Sequence, residues 1–158
     1  MIKHIKEIAE EVLYRMDKYS DDALVLILRT GMAESRYKAL KQMGDGPAIG
    51  FFQVEPNTAI DVLRNYVHYR PKYHKVLDSL GFDFENVEFS LLSNIAVQVA
   101  FCRLQYLRHP KPIPSWDNVE AQAKYWKKAY NTELGKGTIE HFVEANKELD
   151  GHFKNNII

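Results

Sequence analysis

The chain reads as all-α, with at most a very short β piece, and three observations carry that reading. Apolar residues recur at three- and four-residue spacing over long stretches, which is the period of one helix face. Polar residues suited to helix starts, Ser20, Asp117 and Thr138, stand just ahead of such stretches. Proline and glycine are gathered into a few short breaks, where helices stop.

The elements follow in order. Ile5, Ile8, Val12, Met16 and Tyr19 mark one face of a first helix. Ser20-Asp21-Asp22 caps a second, from about Ala23 to Ser35. That helix is apolar nearly all round, through Leu24, Val25, Leu26, Ile27, Leu28, Met32 and Ala33, the mark of a central, buried rod. Gly44, Gly46, Pro47 and Gly50 place a loop over 41–50. Phe51 to Val54 suits a short extended piece, and Pro56 opens a helix running to about Tyr69, before Pro71. Pro71 opens another short helix, ended by Gly81. A long helix is predicted from about Val87 to His109, with Ile95, Val99, Cys102 and Tyr106 on one face. Pro110, Pro112 and Pro114 force an extended connector. Asp117 then caps a helix that carries Trp126 and ends near Asn131. A turn follows over 132–137, and Thr138 opens a last helix with Gly151 past its end. One domain of about seven helices, 1–158, is expected.

Length and composition narrow the function. With 158 residues the chain suits one domain with one core. Lys plus Arg and Asp plus Glu both count 21, so the basic excess of a general nucleic-acid binder is missing. The longest apolar run, Ala23 to Leu28, has six residues, too short to span a bilayer. The start turns acidic at Glu7 before any apolar core, unlike a signal peptide. The single cysteine, Cys102, excludes an internal disulfide and reads as a small core residue. No zinc spacing, P-loop, dinucleotide fingerprint or nucleophile elbow occurs. Neither a metal nor a cofactor is expected.

Glu34 is the unusual residue. It stands at the end of the most apolar helix, beside Gly31, Met32 and Ala33, with a glycine-rich loop after it. A carboxyl at the rim of an apolar helix loses hydration when charged, so its pKa should rise. A helix C-terminus also disfavours a carboxylate. An acid still protonated near neutrality can hand its proton to a leaving oxygen, as glycosidic cleavage requires.

Glu34-Ser35, then Gly50-Phe51-Phe52-Gln53-Val54-Glu55-Pro56-Asn57-Thr58-Ala59, then Ala129-Tyr130-Asn131 stand in one order along the chain. This pattern resembles the soluble lytic transglycosylases, whose signature is Glu-Ser, a loop, Gly-Leu-Met-Gln-x-x-Pro-x-Thr-Ala and a helix ending in Ala-Tyr-Asn. The resemblance covers about residues 20–135. It implies a lysozyme-like fold and cleavage of the β-1,4 bond between N-acetylmuramic acid and N-acetylglucosamine in peptidoglycan. Glu34 matches the catalytic acid/base, and Ser35 the serine that shapes that helix end. Gly50 and Gln53 match the glycine and the cleft-lining glutamine of the middle motif. Phe52 takes the place of a methionine that packs on the sugar, and Tyr130 and Asn131 match the pair facing the glutamate across the groove. The chain departs from the family in three places. The loop after Glu34 is about one residue longer than usual. His68 to Val87 looks like an added helical element, and Thr132 to Thr138 replaces the Ala-Gly that follows Tyr-Asn. The phrasing around Tyr130–Thr132 and Gly135–Thr138 is similar to that of lysozyme-like proteins encoded by bacteriophages.

On that resemblance the glutamate protonates the leaving oxygen while the substrate's N-acetyl group assists at the anomeric carbon. The glutamate then acts as base for the muramyl 6-hydroxyl, and a 1,6-anhydro product results. A hydrolytic muramidase would instead need a second carboxylate, about 6.5–9.5 Å away for inversion or about 5–5.5 Å for retention. Asp45, Glu55 and Asp61 are the candidates for it. A turn residue suits Asp45 and a helix-start charge suits Glu55. A third reading is a non-catalytic phage protein of the same fold that binds glycan or serves a structural role. The expected partner is the bacterial peptidoglycan strand, met by a monomer without nucleic acid or membrane span. The protein would be made in the host cytoplasm and reach the wall on release or from the virion.

Overall fold

Nine α-helices form among the described residues of the computed structural model, which are 1–38, 46–132 and 134–155. They are α1 (Ile2–Arg15), α2 (Asp21–Ser35), α3 (Pro56–Asn65), α4 (Pro71–Ser79), α5 (Val87–Ser93), α6 (Ile95–Leu107), α7 (Val119–Trp126), α8 (Ile139–Ala145) and α9 (Lys147–Asn155). A 3-10 turn covers Val67–Tyr69, and a π-helical turn covers Lys127–Asn131. The only β pairing among the described residues is an isolated antiparallel bridge between Ile49 and Val54. The protein is all-α.

α2 is the central rod its composition predicts. The Ser20 Oγ accepts from the Ala23 N–H at 3.0 Å, and Asp21 and Asp22 occupy the first turn, where the helix dipole favours negative charge. Every residue from Ala23 to Gly31 is buried. α6 is buried almost as fully, from Val97 to Leu104 and again at Tyr106. α1 lies against both, and α8 packs on α2 and α7. One hydrophobic cluster joins these helices, and each large aliphatic in it contributes about 1.5–3 kcal/mol. Cys102 is 0% exposed within that cluster.

Five boundaries differ from the sequence reading, each for a local reason. The helix expected over Val87–His109 breaks at Asn94, which sits at φ −129° and ψ 103°. Its Oδ1 accepts from the Val97 N–H at 3.1 Å, while its Nδ2 donates to the Leu80 carbonyl at 2.8 Å. One amide thus caps α6 and ties it to the end of α4. The helix from Pro56 stops at Asn65, because Tyr66 leaves helical angles at φ −130° and ψ −60°. The cap of α7 is Asn118, whose Oδ1 accepts from Ala121 N–H at 3.0 Å; Asp117 instead accepts from the Ser115 hydroxyl. α7 ends at Trp126 and widens into the π turn before Asn131. Gly151 lies inside α9, and Asn146 separates α8 from α9.

Among the described residues no single helix is long and apolar enough to cross a membrane; the α5–α6 pair is apolar enough together but bends by 110°.

Candidate active site

Glu34 is the penultimate residue of α2. The chain turns sharply after it, since Arg36 and Tyr37 both take left-handed angles, at φ 53° and 56°. The Ser35 hydroxyl fixes that turn by donating to the Phe51 carbonyl at 2.7 Å and accepting from the Tyr37 N–H at 3.0 Å. Tyr37 folds back over Gly31, where an added Cβ would lie 2.1 Å from its hydroxyl oxygen. That hydroxyl donates to the Leu28 carbonyl at 2.8 Å. The spacing Gly31…Glu34-Ser35…Tyr37 therefore builds a rigid helix end that holds the carboxyl in place.

Residues 49–54 form a tight turn rather than the expected extended piece. Ile49 and Val54 exchange N–H···O bonds of 3.0 and 3.1 Å. Gly50 has φ +79°, and a Cβ there would lie 2.6 Å from Gln98 Cδ. The Gln98 amide fills that space, accepting from Phe51 N–H at 3.0 Å and donating to the Leu91 carbonyl at 2.7 Å. Gln53 is left-handed at φ 51°, and its Nε2 donates to the Gly50 carbonyl at 2.8 Å.

The third piece is the π turn. Tyr130 donates its hydroxyl to the Phe52 carbonyl at 2.6 Å and stacks on Tyr106 at 5.1 Å. Lys127 donates to Asn131 Oδ1 and to the Gly135 carbonyl, both at 2.8 Å. Gly135 and Gly137 let the following turn press on Asn131 and Trp126, with a Cβ placed there meeting them at 2.4 and 2.5 Å.

These three pieces surround one cleft of about 1030 Å³. Glu34, Ser35, Gln53, Tyr130 and Asn131 all line it. Two expected site residues do not. Phe52 is 0% exposed and packs edge-on against Tyr37 at 5.9 Å, so its ring belongs to the core and not to a sugar platform. Gly50 is not among the cleft-lining residues; it makes the turn, at φ +79°. Trp126, placed by the sequence on the helix that ends near Asn131 but given no role there, also lines the cleft, as do Gln105, Arg108, Lys136 and His141, to which the sequence assigned none. Trp126 stands four residues before Tyr130, and that spacing was a usable signal. Gln105, Arg108 and His141 arrive through packing of distant helices, which no local motif announces.

The electrostatics single out Glu34. Burial pushes its carboxyl up from the ordinary 4.5 to about 7, opposed in part by the Trp126 indole N–H. His141 Nε2 donates to the Ala33 carbonyl at 2.8 Å, bracing the same helix turn. Burial also pushes the Tyr130 phenol well above its usual range, so it stays a neutral donor. Of the candidate second carboxylates, Glu55 lines the cleft. Asp61 is exposed and held as an anion by Arg108 at 2.6 Å. Asp45 lies outside the described residues. Among the described residues no group of three or more His, Cys, Asp or Glu side chains gathers where a metal would bind.

The arrangement offers one proton donor poised near neutrality, a ring of amide and hydroxyl groups, and an open groove. No family model, no curated protein and no solved structure matches this chain.

Proposed function

We propose that this protein is a peptidoglycan-cleaving glycosidase with a lysozyme-like fold, encoded by a bacteriophage, and that Glu34 is its general acid and base. The observation that carries the reading is the Glu34 carboxyl itself. It keeps its proton to about pH 7 in a cleft that Gln53, Tyr130 and Asn131 share. Such an acid supplies the leaving-group proton at physiological pH. Amides and a phenol suit the acetamido and hydroxyl groups of the glycan.

The reaction is of the lytic transglycosylase type. Glu34 gives its proton to the glycosidic oxygen as the C1–O bond breaks, and the N-acetyl oxygen closes on C1. The Glu34 carboxylate then takes the proton of the muramyl 6-hydroxyl, whose oxygen displaces the acetamido oxygen and closes the 1,6-anhydro ring. One carboxyl serves both steps. A cytoplasmically made protein would reach its substrate on host lysis or from the virion.

Glu34→Gln is expected to keep the fold and abolish the clearing of purified cell walls, followed as turbidity. Full clearing by that variant would remove Glu34 from the mechanism. Mass spectrometry of the wild-type digest is expected to show 1,6-anhydromuropeptides. A second reading, the hydrolytic muramidase, has Glu55 in its favour, since that carboxyl also lines the cleft. A digest with only reducing muramic ends would establish it instead.

A further inference from the structure

Trp126 is 1% exposed, and its indole Nε1 is buried without completing a hydrogen bond. Leaving such a donor unmet is costly, so one in a native site calls for a reason. The ring is held from two sides: Phe142 lies 5.1 Å away centroid to centroid, and a Cβ on Gly137 would come within 2.5 Å of its Cη2. The indole therefore cannot turn to find another partner. It lines the cleft together with Glu34, and its N–H acts on that carboxyl in the sense that favours the charged form.

We propose that Trp126 is a positioning residue for Glu34: its N–H waits without a bond while the carboxyl is protonated, and donates to the carboxylate once the proton has left. A hydrogen bond to an ionised acceptor is roughly twice as strong as one between neutral groups. The donor thus acts mainly in the state that follows proton transfer, where the carboxylate must persist until it accepts the next proton. The catalytic part of this inference rests on the glycosidase reading; the contact itself does not.

The charged and titratable groups that share the cleft with Glu34 or act on its carboxyl are Arg36 on its own helix end, Glu55 ahead of α3, Arg108 at the end of α6, Lys136 after the π turn, His141 on α8, Tyr130, and Tyr106 with Cys102 on α6. Burial pushes both phenols and the thiol upward, away from neutrality.

The experiment is a nitrogen–proton NMR titration of the two indole resonances from pH 5 to 9, with Trp116→Phe used to assign Trp126. The Trp126 N–H proton is expected to move downfield with a midpoint near 7 in the wild type and to stay flat in Glu34→Gln. A flat wild-type signal, or a titration that survives in Glu34→Gln, overturns the proposal. In Trp126→Phe the pH midpoint of wall clearing is expected to rise by about half to one unit, a roughly three- to tenfold weaker acid. An unchanged midpoint in a folded Trp126→Phe protein would also overturn it. If that variant fails to fold, the wild-type and Glu34→Gln titrations still decide. Because the NMR arm reads no activity, loss of the glycosidase reading and loss of the Trp126 contact are separable.

Discussion

At the scale of the residue, a carboxyl that holds its proton toward neutrality is a liability to the fold. Glu34 ionises near 4.5 in the unfolded chain and near 7 when folded, because burial disfavours its charge. Between those values the folded protein holds a proton that the unfolded chain has released. Stability therefore falls as pH rises through this window, and the loss is complete above about 7. The shift corresponds to about 3 kcal/mol as an order of magnitude. Glu34→Gln has no charge to bury, so urea unfolding is expected to show it more stable than wild type by about 2–3 kcal/mol at pH 8 and by little at pH 4. Equal increments at the two pH values would mean that the carboxyl is not strained by desolvation. Position drew attention to this residue, as a charge ending an apolar helix, but it took the pattern of Glu34-Ser35 with 50–59 and Tyr130-Asn131 to single it out. Phe52 was not legible, because an aromatic in a motif reads the same whether its ring faces a sugar or the core.

Elements were legible where their signals are local. Ser20, Asn118 and Thr138 cap their helices through side-chain bonds to a nearby N–H, and the first and third stretches announce themselves by polar residues ahead of an apolar period. The break at Asn94 was hidden, because apolar residues continue across it and its second bond reaches back to Leu80. The 49–54 turn was half legible: its glycine spoke for a turn, but the partner filling it, Gln98, lies 48 positions further along. That partner makes a direct test. Gly50→Ala puts a methyl into the Gln98 amide and forces φ +79° on an L-residue. The substitution is expected to cost about 2–4 kcal/mol, from overpacking and backbone strain together. Chemical denaturation would measure it, and a loss below about 0.5 kcal/mol would show that the turn relaxes freely.

At the scale of the whole molecule, the cleft depends on holding α2 against the carboxy-terminal helices, and Arg29 does this from the middle of α2. Its side chain is 4% exposed. Nε and Nη2 reach Asp150 on α9 at 2.9 and 2.8 Å, while Nη1 donates to the Trp116 carbonyl at 2.7 Å and to Gln122 on α7 at 2.8 Å. Asn146, between α8 and α9, donates back to the Arg29 carbonyl at 3.1 Å. One buried cation therefore ties α2, the proline connector, α7 and α9 into a single body. The bond from His141 to Ala33 then sets α8 against the Glu34 end of the same rod. Removing one partner of a buried ion pair leaves the other charge uncompensated. Asp150→Ala is accordingly expected to lower stability by about 3 kcal/mol, seen as a lower urea midpoint with an unchanged slope. Replacing both partners together, as Arg29→Met with Asp150→Leu, is expected to recover most of that loss, since no lone charge remains. A double variant no more stable than Asp150→Ala would show that Arg29 acts chiefly through its bonds to Trp116 and Gln122, and that the connector, not α9, is what the cation secures.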